Sequence, residues 1–185
     1  MRTIILIHGI GNNNPGWSHA IKAHQVLQVE KARIIEFNYE DLMEHNWVNQ
    51  LLVTAARLAA SYYATPAAGL AANTVQDYID DILMYFVVPG VRKKILNRLA
   101  TLLEQHPDAI LIGFSLGSVV AYETLKNHSH PQAALMTLGS PLGSPVLSRL
   151  VRRFLKVPDF TRPLVTHWFN LYSALDPISG RINKL

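Results

Sequence analysis

The sequence predicts an α/β protein with a mainly parallel sheet flanked by helices. Two observations carry that class. Short continuous apolar runs, such as TIILIH at Thr3–His8 and DAILIGF at Asp108–Phe114, read as strands covered on both faces. Segments of helical periodicity separate them, and strand–helix alternation means βαβ units with parallel pairing. The chain has 185 residues, a length that suits a single domain, 1–185, with a sizeable core. Hydrophobic residues make up 49% and charged residues 16%, which excludes a disordered chain.

In chain order, Thr3–His8 is the first strand, and the loop GIGNNNPG follows it. A helix is expected from near Trp17–Ser18 to about Gln28, then a second strand at Ala32–Tyr39 (ARIIEFNY). From about Leu42 to Val88 the alternation breaks, because that length exceeds one crossover. Trp47–Ala64 reads as a helix that is apolar around most of its circumference. Thr74–Phe86 reads as another, opened by Thr74 with Asp77 three residues on. Pro66 and Gly69 punctuate the two, so residues of about 42–90 form a helical insertion.

Val91–Gln105 is the crossover helix. Val91, Ile95, Leu99, Leu102 and Leu103 are placed towards the sheet, and Arg92, Lys93, Lys94 and Arg98 towards water. Pro107 ends it. Strand Asp108–Phe114, helix Leu116–Asn127, strand Ala133–Leu138 and a last strand at Pro163–Tyr172 complete the pattern.

Composition narrows the chemistry. There is no cysteine, which removes disulfide frameworks, thiolate nucleophiles and Cys-based zinc sites. The net charge is +4. Basic residues gather at Arg92, Lys93, Lys94 and Arg98, and at Arg149, Arg152, Arg153 and Lys156. They read as solvated helix faces or as a surface that favours anionic membranes or acidic partners. No nucleic-acid module signature accompanies them, so no nucleic-acid partner is expected. The strand directly after Met1 leaves no room for a signal peptide, so a cytoplasmic location is expected. The apolar stretch Leu51–Ala72 is not expected to span a membrane, given Arg57, its polar residues and Pro66.

The chemistry concentrates at LIGFSLGSVVAYETL. A serine hydroxyl needs a sharp turn to expose it and a base to take its proton. In Gly113-x-Ser115-x-Gly117 the glycines let strand and helix approach closely around such a turn. The helix starts behind Ser115, so the Leu116 N–H can point at a developing oxyanion. His8-Gly9-Ile10-Gly11 closes the first strand, and the Ile10 N–H is the expected second oxyanion donor. His8 itself reads as structural, its ring bonded to loop backbone.

The segments IHGIGNNNPGW, GFSLGSVVAYE, LGSPLGSP and WFNLYSALDPISG resemble, in order and rough spacing, the lipase- and esterase-like members of the α/β-hydrolase superfamily. The resemblance spans nearly the whole chain. It implies Ser115 as nucleophile and Asp176 as the acid that orients a histidine. It implies Ser140–Gly143 as a turn shaping the pocket, and the insertion as a lid lined by residues such as Trp47, Tyr62, Tyr85 and Phe86. No metal or organic cofactor is implied.

One departure stands out. The family order is Ser, acid, His, but only PISGRINKL follows Asp176. The histidine-bearing segment is therefore expected beyond Leu185, in a minimal or C-terminally truncated hydrolase fold. The alternative is one of the eight histidines present, of which none sits in the family position.

The function expected is hydrolysis of carboxylic esters through an acyl-enzyme on Ser115. The substrate is a small-molecule acyl ester or a lipid, with peripheral contact to a lipid interface. Two alternatives stay open: acyl transfer or thioester hydrolysis on the same site, and a non-catalytic binding protein of the same fold. Oligomeric state is left undetermined.

Overall fold

A computed structural model describes residues 2–9, 16–20, 32–43, 50, 53–54, 82–144, 147–173, 175–176 and 179–182. The chain divides into two compact units, Met1–Asn38 with Leu96–Leu185, and Tyr39–Ile95.

The first unit holds the sheet. Its strands are β1 (Thr3–Ile7), β2 (Arg33–Phe37), β3 (Ile110–Phe114), β4 (Ala134–Leu138) and β5 (Trp168–Leu171). The helices are α1 (Trp17–Ala20), α2 (Val91–Gln105, entering from the second unit), α3 (Leu116–Asn127) and α4 (Ser148–Leu155). The strands pair in the order β2-β1-β3-β4-β5, and every pair is parallel. This is an α/β fold of the kind the alternation predicts. α2 and α3 have the expected bounds.

Register sorts the strand side chains into two faces. Ile5, Leu111, Leu135 and Trp168 are cross-strand neighbours, and all are buried. α3 packs over β3 and β4, and Leu116, Val119, Val120 and Leu125 are all buried. Burying each such side chain stabilises the fold by roughly 1.5–3 kcal/mol. On the opposite face Ile4, Leu6 and Ile112 form a buried cluster, with Trp17 of α1 and Phe114 packed against it. The sheet thus carries helices on both faces, which is why its strands are apolar runs rather than alternating ones.

Two local differences from the sequence reading stand out. In α2 the buried stripe runs through Val91, Ile95, Leu96, Leu99, Ala100 and Leu103. Leu102 is half-buried on its flank. The last strand is shorter than Pro163–Tyr172. Pro163 has no N–H to donate, Leu164 is exposed, and pairing begins where Thr166 N–H donates to the Ala133 carbonyl (2.8 Å).

In the second unit, residues 82–87 are helical, and Ile82, Leu83, Met84, Tyr85 and Val88 are buried. The Arg92 guanidinium lies 5.3 Å from the Phe86 ring centre, a cation–π contact for a residue expected to face water. Of the expected helix Trp47–Ala64 only residues 50, 53 and 54 are described, all helical, and most of Thr74–Phe86 and of Leu51–Ala72 lies outside the described residues. Among the described residues no helix is long and apolar enough to cross a membrane.

Candidate active site

Because all five strands run the same way, the segments leaving β1, β3, β4 and β5 gather at one end of the sheet. The strand order reverses between β1 and β3: the chain goes from β1 outward to β2, and from β3 outward to β4 and β5. In open parallel sheets, ligands bind outside the C-terminal strand ends at such a reversal. Ser115 and Gly9 lie there.

The sequence around Ser115 forces a tight turn. β3 ends at Phe114 and α3 begins at Leu116, so one residue reverses the chain. Ser115 takes φ 48° and ψ −120°, a region that costs a non-glycine residue about 1–3 kcal/mol. The surrounding glycines are sites of contact. A Cβ at Gly113 would lie 2.6 Å from Ser118 Cα, and one at Gly117 would lie 2.2 Å from the His8 carbonyl oxygen. One at Gly9 would lie 2.8 Å from Ser115 Cβ. The missing side chains therefore let α3 seat on β1 and let the loop after β1 touch the turn.

The strained residue is held from both sides. Its N–H donates to the Leu138 carbonyl (2.9 Å), and its own carbonyl accepts from Ser118 N–H (2.9 Å) and from the Ser118 hydroxyl. Ser118 Oγ is 2.6 Å from Ser140 Oγ, which accepts from Leu142 N–H at 3.3 Å. Ser118 and Ser140 are wholly buried. Ser115 is only 8% exposed, and its Oγ is buried with no hydrogen-bond partner among the described residues. A buried hydroxyl left unpaired costs about 1–3 kcal/mol. The turn keeps its backbone satisfied and, among the described residues, leaves its hydroxyl unengaged.

Leu116 is the first residue of α3, a helix of 12 residues. N–H groups of a first helical turn have no intrahelical acceptor and carry the positive end of the dipole. The other expected oxyanion donor, Ile10, lies outside the described residues.

Asp176 is half-buried. A Cβ at Gly139 would lie 3.9 Å from Asp176 Oδ2. The same step after β4 thus meets Ser115 through the Leu138 carbonyl and the acid through Gly139. Gly139 takes φ 58°, which lets the chain turn there without a side chain facing the carboxylate. The segment after the acid is anchored too. Asn170 Nδ2 donates to the Gly180 carbonyl (2.9 Å), while its Oδ1 accepts from Thr137 Oγ1 (2.9 Å). Gly143 packs against the Gly180 carbonyl, where a Cβ would come within 2.0 Å.

The histidines divide by topology. His106, His128 and His130 precede β3 or β4, and the His167 carbonyl accepts from Leu135 N–H at the start of β5. All four lie at the N-terminal end of the sheet, opposite Ser115. His8 follows β1 at the Ser115 end. Its Nδ1 donates to the Gly9 carbonyl (2.8 Å), since a carbonyl can only accept, and its ring meets Trp17 edge-on at 6.0 Å. Burial lowers its pKa from 6.5, against smaller opposing effects of the Gly9 bond and the Glu36 charge. His24, His45 and the side chain of His19 lie outside the described residues.

Glu36 is a positioning group that sequence reading missed. Its carboxylate accepts from Gly16 N–H (2.6 Å) and Ser18 N–H (2.8 Å), and Trp17 Nε1 donates to Asn38 Oδ1 (3.1 Å). β2 thus pins the start of α1, whose Trp17 packs between His8 and Phe114. The available signal was a carboxylate inside an otherwise apolar strand, RIIEF. Among the described residues, no group of three or more His, Cys, Asp or Glu is placed to hold a metal ion.

Comparison with protein-family models, curated proteins and solved structures gave no match.

Proposed function

We propose that this protein is a serine-dependent hydrolase of carboxylic esters, acting through an acyl-enzyme on Ser115. The observation that carries the reading is the state of Ser115. It stands in a strained one-residue turn at the C-terminal end of β3, with a hydroxyl unpartnered among the described residues and a helix N-terminus directly behind. A fold gains nothing in stability from a left-handed serine with an unpaired buried hydroxyl, so the feature points to chemistry.

In this reading Ser115 Oγ attacks the ester carbonyl carbon and the carbonyl π pair moves onto oxygen. The N–H groups of Leu116 and Ile10 stabilise that oxyanion. A base takes the serine proton and returns it to the departing alkoxide, and water then cleaves the acyl-enzyme. Asp176 orients the base, a role supported by its place after β5, two strands beyond β3 at the same end of the sheet. The apolar insertion acts as the lid. Acyl transfer and thioester cleavage use the same steps with another acceptor or leaving group.

The test is intact-mass detection of a fluorophosphonate adduct, with Ser115→Ala as control. One adduct that vanishes in the variant is expected. Absence of labelling in the folded protein would refute an activated Ser115. The placement of four described histidines at the far end of the sheet favours the second reading, a non-catalytic binding protein, in that event.

A further inference from the structure

We infer that Ser118 and Ser140 are positioning residues that tie the Ser115 turn to the segment following Asp176. The inference rests on the reading of Ser115 as the nucleophile. Ser118 has one hydroxyl hydrogen. When it donates to the Ser115 carbonyl, the hydrogen between the two serine oxygens must come from Ser140. Ser140 Oγ in turn accepts from Leu142 N–H. Direction is then set along one chain, from Leu142 N–H through Ser140 and Ser118 to the Ser115 carbonyl. Each bond polarises the next, and burial of both serines keeps water from competing.

The chain joins two parts of the site that no strand pairing joins. At one end it holds the carbonyl of a residue in a costly backbone region. At the other it fixes the turn Pro141–Gly143, whose glycine seats the Gly180 carbonyl. Gly180 lies just past Ser179, whose N–H donates to the Asp176 carbonyl at 3.3 Å. A shift of the turn at 141–143 therefore reaches both the nucleophile and the acid's loop. An alanine at either position would fit sterically and hold neither.

The test compares Ser118→Ala, Ser140→Ala and the double variant by fluorophosphonate labelling rate, with amide hydrogen exchange read residue by residue. Ser118 makes the bond to Ser115, so its loss should slow labelling by about tenfold. Ser140 reaches the Ser115 carbonyl only through Ser118 and should slow labelling less, by about threefold. The double variant should match Ser118→Ala alone, because the chain is already cut. Exchange at the Ser115 and Leu142 amides should rise in the variants while core amides such as Ile5 keep their protection.

Wild-type labelling in Ser118→Ala would overturn the inference. So would a double variant whose rate loss is the product of the two single losses, or exchange that rises uniformly across the sheet. If the wild type itself takes no label, the hydrolase reading fails separately and exchange alone decides the coupling. Faster exchange confined to the Ser115 and Leu142 amides then supports it, and unchanged exchange there overturns it.

Discussion

Replacing Gly117 by alanine sets two physical effects against each other. Gly117 lies in the first turn of α3, and in an isolated helix Gly→Ala is worth about 1 kcal/mol of stabilisation. Here the new methyl would sit 2.2 Å from the His8 carbonyl oxygen, 2.4 Å from the Ile7 carbonyl oxygen and 2.9 Å from the Ile7 carbonyl carbon. The closest contact is on the order of 1 Å short of ordinary van der Waals separation. All three atoms are backbone, in or just after a strand paired on both sides. No side chain can rotate away, so the upper end of the overpacking range applies, about 3 kcal/mol. The difference leaves a net loss of about 2 kcal/mol. For a chain of this size that lowers Tm by roughly 4–8 °C. Thermal and urea melts of Gly117→Ala against wild type measure it. A variant as stable as wild type, or more stable, would refute the close seating of α3 on β1.

Other perturbations separate function from stability. Ser115→Ala removes an unpaired buried hydroxyl and should abolish labelling while leaving the protein as stable or up to about 1 kcal/mol more stable, read by urea melts. Glu36→Gln removes the charge that receives the Gly16 and Ser18 amides and should cost about 1 kcal/mol in the same assay. Asn170→Ala breaks the bonds to Thr137 and Gly180 and should speed tryptic cleavage after the exposed Arg181 severalfold, compared by timed digestion.

The pH dependence follows from His8. Its native pKa is held below 6.5 by burial, so the unfolded chain takes up a proton that the folded one resists. Stability should therefore fall as pH drops below 6.5 and level off beneath the lowered native value. His8→Asn should flatten the profile of urea midpoints between about pH 8 and pH 5. His130, also lowered by burial, contributes in the same direction and leaves part of the slope.

What the sequence determined by itself is local. The apolar runs of β1 and β3 and the periodicity of α2 and α3 depend on neighbours within a few residues, and so do the glycines bracketing Ser115. Those elements were legible as written, and α2 and α3 to the residue. What the tertiary structure alone decided depends on residues far apart in the chain. Strand order is one such property, and it sets the reversal between β1 and β3. Gly117 must be glycine because β1 passes behind it, more than a hundred residues earlier in the chain. Ser118 meets Ser140 and Glu36 meets Gly16 only because the strands bring their loops to one end. The same topology sends four histidines to the opposite end. A motif can announce a nucleophile, but a base is defined by distance across the fold, and no short stretch of sequence encodes that distance.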